Sequence, residues 1–254
     1  MNQDLLHTNY RKKWWTVDDL EERQREASMT TSKKFLVLAT KNHPFYSKLK
    51  ELDVIFYDLE SHAPFEEKWS HYMECDLVLD FTVIEPEKKL QLLKHLNIQF
   101  DFPIVSDLST YWGELFIEKV SGLRGALSFN FPSPTNCYEY YAIDERTNEG
   151  LLEFFKMIEV EGLRVDTPGI GFTYPRVVSM IINEAYFSLE DNLARPKDID
   201  TAMKFGVNYP LGPFEWAAKI GHKNILRLLE ELYKETADPR YRPSQKLRLE
   251  ANLL

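Results

Sequence analysis

The sequence predicts an α/β N-terminal domain with a mainly parallel sheet, followed by an all-α C-terminal domain. Three observations carry that expectation. Up to Asp166, short apolar β-favouring runs alternate with helical stretches of about ten residues. Those runs are continuously apolar rather than alternating, as strands buried on both faces are. Beyond Asp166 the apolar residues recur only at helical spacing. Right-handed crossovers between buried parallel strands put helices on both faces, so the first domain is Rossmann-like.

Residues 1–33 read as a polar arm with a short helix. Trp14 and Trp15 precede the charged stretch Asp18 to Arg25, and Val17, Leu20 and Ala27 make only a thin apolar stripe. Residues 34–165 hold the Rossmann-like domain. Its expected strands are Phe35 to Ala39, Val54 to Tyr57, Leu77 to Phe81, Pro103 to Val105, Leu123 to Phe129 and Tyr138 to Ile143. Its expected helices are Phe45 to Leu52, Phe65 to Met73, Pro86 to Leu96, Tyr111 to Lys119 and Glu149 to Glu159. Residues 166–254 form the helical domain, with helices over Pro175 to Leu193, Lys197 to Phe205, Phe214 to Ile220 and Lys223 to Glu235, and a last short one within Pro243 to Leu254. Gly206 is expected to cap the second of these, Pro213 to open the third and Gly221 to stop it.

The chain has 254 residues, with 31 Lys+Arg against 40 Asp+Glu and a formal net charge of -9. A hydrophobic share of 44% is enough to build cores. The acidic balance argues against nucleic acid as a partner, and no run approaches the ~20 apolar residues of a membrane span. Met1 to Tyr10 contains Asp4 and no apolar segment of the secretory type. The two cysteines, Cys75 and Cys137, are too far apart in sequence to suggest a disulfide framework or metal cluster, which suits a cytoplasmic location. His7, His43, His62, His71, His95 and His222 lack metal-binding spacing, so no metal is expected. His43 and His62 fall in expected loops, His71 and His95 on helix surfaces, and all six read as solvated or structural. All ten glycines lie at or after Gly113.

The helical half carries a specific resemblance. Asp166-Thr167-Pro168-Gly169, Arg176 with Asn183-Glu184-Ala185, Asp198 to Lys204, and Gly206-Val207-Asn208-Tyr209-Pro210-Leu211-Gly212-Pro213-Phe214-Glu215 follow in order, without a gap from Arg176 to Asp200. Together they resemble the C-terminal domain of the 3-hydroxyacyl-CoA dehydrogenase family. The N-terminal half matches through Cys75 to Asp80, Pro103 to Phe116 and Gly125 to Pro132, and is short between Asp58 and Cys75, where the family has a helical protrusion.

The resemblance implies hydride transfer from a hydroxyacyl thioester to NAD, with a histidine taking the hydroxyl proton and a carboxylate orienting it. In this chain the family's histidine position falls on Ser128, the orienting glutamate on Tyr140 and an active-site asparagine on Pro175. Ser109 and Glu139 are the substitute candidates. Glu139 would face away from Tyr140 unless a bulge intervenes. The turn after the first strand reads Thr40-Lys41-Asn42-His43-Pro44-Phe45, without the glycines that let a diphosphate approach. Only Asp58, at the end of the second strand, matches a cofactor-binding residue, the one that would hold an adenine ribose.

The expected function is therefore a divergent family member without the standard NAD-dependent activity, its Rossmann-like half degenerate and with no cofactor implied. It would bind an acyl or CoA-like ligand in the interdomain cleft, or act as an interaction protein dimerising through its helical domain. Ser128, Asn130, Tyr138, Tyr140, Thr173 and Tyr174 would line such a cleft, or else simply fill it. The alternative is an active NAD-dependent 3-hydroxyacyl-CoA oxidoreductase of fatty-acid metabolism with shifted catalytic residues, among Ser109, Ser128, Glu139 and Asp58.

Overall fold

Alternate residues of a strand face opposite sides, and β1 (Phe35–Ala39) uses both. Its five residues are all buried. Phe35, Val37 and Ala39 enter one core, and Leu36 and Leu38 enter another. The computed structural model describes residues 33–59 and 75–253, within one compact unit, Lys33–Leu254. The expected arm with Trp14 and Trp15, and the expected helix Phe65 to Met73, lie outside the described residues.

Around β1 run β2 (Ile55–Asp58), β3 (Leu77–Phe81), β4 (Ile104–Asp107), β5 (Leu123–Leu127), β6 (Cys137–Ala142) and β7 (Glu161–Arg164), in the order β2-β1-β3-β4-β5-β6-β7. Pairing is parallel except between β5 and β6. Among the described residues, four helices cover the sheet: α1 (Tyr46–Lys50), α2 (Pro86–Gln99), α3 (Gly113–Lys119) and α4 (Glu145–Met157). Leu49 of α1 and Leu151 and Phe154 of α4 pack with Val37. Leu93 and Leu96 of α2 and Phe116 of α3 pack on the opposite face with Leu36 and Leu38.

The helical half comprises α5 (Thr173–Glu190), α6 (Pro196–Gly206), α7 (Pro213–Ile220), α8 (His222–Thr236) and α9 (Gln245–Leu253). Val178, Ile182 and Tyr186 of α5 meet Trp216 of α7, Leu228, Leu229 and Leu232 of α8, and Leu247 of α9 in a third core. Phe131, just beyond β5, enters that core and ties the sheet to the helices.

The differences from expectation have local causes. The helix expected from Glu149 starts at Glu145, because the Asp144 side chain accepts the Thr147 amide at 2.9 Å. α5 starts at Thr173 and ends at Glu190 rather than spanning Pro175 to Leu193. Gly206 lies inside α6, and the left-handed residue after that helix is Asn208, with φ 59°. Gly221, at φ 88°, does separate α7 from α8. Strand β7 was not expected at all. It is short, charged and exposed along its length, and it pairs with β6 where Gly162 leaves room: a Cβ there would lie 2.5 Å from the Phe155 ring.

Candidate active site

In a sheet of this order, ligands bind beyond the carboxyl ends of the strands where the winding reverses, here between β1 and β3. The turn after β1 is closed on itself. His43 N–H donates to the Thr40 carbonyl at 3.0 Å and Tyr46 N–H to the His43 carbonyl at 2.9 Å. Phe45 N–H donates to His43 Nδ1 at 3.1 Å, and Pro44 has no N–H to offer. The turn is also joined across the reversal to the end of β3. Thr40 Oγ1 accepts the Val83 amide at 3.0 Å, and Asn42 Nδ2 donates to the Val83 carbonyl at 3.4 Å.

Behind the turn lie two buried polar clusters. His43 Nε2 is 2.9 Å from Asp107 Oδ2. Because Nδ1 accepts the Phe45 amide, Nε2 is the donor, and both ring nitrogens are engaged. Asp107 Oδ1 also accepts the Ser109 amide at 3.0 Å and the Ser109 hydroxyl at 2.5 Å. In the second cluster Lys89 Nζ sits 2.7 Å from Asp80 Oδ2, with both side chains fully buried. Thr82 N–H and Oγ1–H donate to Asp80 Oδ1, Ser106 Oγ–H donates to Asp80 Oδ2 at 2.8 Å, and Lys89 donates to the Thr82 carbonyl at 2.7 Å. Charges this deep persist only when paired and fully hydrogen-bonded.

The residues singled out from the sequence are held by the following partners. Ser128 is buried and donates its hydroxyl to the Glu139 carbonyl at 3.0 Å. The Glu139 carboxylate faces the other way and accepts Thr173 N–H at 3.0 Å and Tyr174 N–H at 2.8 Å, capping α5 with negative charge at the positive end of that helix. Tyr140 lies in the core beside α4 and donates to Asn148 Oδ1 at 2.8 Å, and Tyr138 shares that core. Asn130 is buried and accepts from Asn224 at 3.1 Å. Tyr174 reaches the Pro132 carbonyl. Pro175 is buried in the first turn of α5. Ser109 is held by Asp107, as above. Asp58 accepts the Tyr46 hydroxyl at 2.7 Å.

A groove of about 850 Å³ runs between α2 and α3 of the sheet layer and α8 and α9 of the helical layer. Sequence reasoning missed the groove and both buried clusters. The clusters did leave a signal: Asp80 and Asp107 stand at the ends of apolar runs, and His43 follows β1 directly. The groove left none, because it belongs to helices packed from distant segments.

Comparison with known proteins bears on the helical half first. Residues 171–252 match the model of the 3-hydroxyacyl-CoA dehydrogenase C-terminal domain. The helical half therefore belongs with the C-terminal domain of the 3-hydroxyacyl-CoA dehydrogenase family. The 3-hydroxyadipyl-CoA dehydrogenase of Escherichia coli K12 is 53% identical over 83 residues, 33% of this chain and 18% of that protein. The 3-hydroxybutyryl-CoA dehydrogenase of Bradyrhizobium diazoefficiens is 28% identical over 186 residues, 70% of this chain and 63% of that protein. The chain thus spans less than two thirds of either relative. The crystal structure of the (S)-3-hydroxybutyryl-CoA dehydrogenase of Ralstonia eutropha superposes with a TM-score of 0.66 at 20% identity, over 86% of this chain and 93% of that one, which establishes the shared fold.

Proposed function

We propose that this family member binds a CoA thioester and does not pass hydride to NAD in the family's pose. The observation that carries the reading is the closed turn after β1. A dinucleotide's diphosphate needs free amides at that turn and backbone close enough to meet it. The amides of His43, Phe45 and Tyr46 are all bonded internally, Pro44 has none, and the His43 ring is buried. The residues present do not fit NAD in that pose. Among the described residues, no free general base stands at the end of β5: Ser128 is tied to a carbonyl, and both nitrogens of His43 are engaged.

The test is direct. Wild-type protein is melted with and without 3-hydroxybutyryl-CoA, and NADH is titrated by nicotinamide fluorescence. The expected outcome is a higher melting temperature with the thioester and no nicotinamide signal at millimolar NADH. Saturable NADH fluorescence with turnover of 3-hydroxybutyryl-CoA would overturn the reading.

A second reading is an active NAD-dependent 3-hydroxyacyl-CoA oxidoreductase with shifted residues. The names of the relatives favour it, since each is called a dehydrogenase, and so does Asp58 at the end of β2, where a ribose would be held. It requires the turn after β1 to open and Asp58 to exchange Tyr46 for the ribose. We also propose a homodimer formed through the helical half, in the cytoplasm. Among the described residues, neither Cys75 nor Cys137 forms a disulfide, and no helix is long and apolar enough to cross a membrane.

A further inference from the structure

We infer that His43 and Asp107 are the specificity pair that shuts the crevice between β1 and β3 to dinucleotides, His43 by taking up a turn amide and Asp107 by its charge. This rests on the reading without NAD proposed above and names the side chains that enforce it. Both are buried, at 2% and 3% exposure. They meet at 2.9 Å although 64 positions apart, because β1 and β4 both flank β3.

His43 acts on the backbone. Its Nδ1 accepts the Phe45 amide at 3.1 Å, an amide that a phosphate oxygen arriving at this turn would otherwise use. The ring is fixed from behind. Nε2–H donates to Asp107 Oδ2, and the Phe81 ring meets it edge to face, with centroids 5.1 Å apart and planes at 78°. Thr40 and Asn42 tie the turn to Val83 but leave the Phe45 amide alone.

Asp107 acts through its field. An imidazole that accepts at Nδ1 and donates at Nε2 is neutral. Asp107 therefore keeps a full negative charge, held in the interior by three donors: His43 Nε2–H and the Ser109 N–H and hydroxyl. The other buried carboxylate behind the turn, Asp80, is different, since Lys89 lies 2.7 Å away and cancels its charge. What remains of the two clusters is one anion, joined to the turn by a single hydrogen bond. Away from bulk water it repels a diphosphate strongly. Lys41, in the same turn, is exposed, where solvent screens its charge. A built-in repulsion of this kind sharpens a rejection that a missing contact begins.

NADH titration of the full chain by nicotinamide fluorescence tests this, with wild type, His43→Gly and His43→Gly/Asp107→Asn each followed by melting. His43→Gly frees the Phe45 amide but strands the Asp107 charge. It is expected to melt lowest and to bind NADH at least tenfold more weakly than the double variant. The double variant removes imidazole and charge together, and Asn at 107 keeps an acceptor for Ser109. It is expected to melt above His43→Gly and to bind NADH saturably at millimolar concentration, where wild type gives no signal. If glycine at 43 leaves the double variant unfolded, His43→Ala/Asp107→Asn restricts the backbone more and is expected to bind in its place. A folded double variant as silent as wild type would overturn the pair and leave the proposed function standing. NADH bound by wild type would remove both. Single and double variants that bind equally would overturn the part given to Asp107.

Discussion

Lys89 and Asp80 are a fully buried ion pair, so each depends on the other more than on any apolar neighbour. Removing one partner leaves an uncompensated charge in the interior. Lys89→Met is expected to cost about 3–5 kcal/mol in urea unfolding, and Asp80→Asn in the same chain is expected to recover much of it by removing the stranded charge. A loss under ~1 kcal/mol, the range of exposed pairs, would mean that water reaches the pair. At this scale the sequence was half legible. That Ser128 stands where a base is needed follows from residue identity. That its hydroxyl is held by the Glu139 carbonyl does not, because the partner comes from another strand. His43 read as solvated or structural; its burial and its bond to Asp107 depend on β1 and β4 being neighbours through β3.

Helices and strands were legible wherever apolar period decided them, and less so where side chains set the ends. β1 and β3 fall where their apolar runs predict, whereas α4 and α5 begin early because carboxylates cap them. At Asp144 burial works against the carboxylate, but the Thr147 amide and then the Arg124 guanidinium overcome it and hold the carboxyl below its ordinary range. A depressed folded value means that the cap stabilises above the unfolded value and that its contribution is lost as pH falls through the folded one. Asp144→Ala is expected to cost about 1 kcal/mol at neutral pH, and the gap between variant and wild type should narrow in acid, as followed by melting from neutral pH downward. A gap that widened in acid would contradict the capping role. Glu139 caps α5 in the same way from a more buried position. Glu139→Gln is expected to lose ~1–2 kcal/mol of stability while leaving CoA affinity unchanged. Should CoA affinity collapse in folded Glu139→Gln, Glu139 would belong to the ligand site rather than to the helix end.

Across the whole molecule, the parallel strands and the helical half were legible together because each has its own period, and their junction was not. Phe131 leaves β5 and enters the helical core, while Asn130 accepts from Asn224. These contacts join the segment after β5 to the helical half, and no periodicity encodes them. The same packing leaves α6 with little cover. Asp200 is the one buried residue of that helix, and in the helix and its flanking segments Leu193, Phe205 and Val207 are 71%, 84% and 55% exposed. Exposed apolar side chains of this size suit a contact surface. A twofold axis through α6 would set each group against its own copy, the commonest arrangement in homo-oligomers, and would place the contact on the helical half, where the family resemblance expects it. Phe205→Asp puts a charge at the centre of such a contact without touching a core residue. Sedimentation velocity at micromolar concentration is expected to show a dimer for wild type and a monomer for Phe205→Asp, with equal melting of the dilute proteins. A wild-type monomer under those conditions would leave the exposed face of α6 without the partner assigned to it.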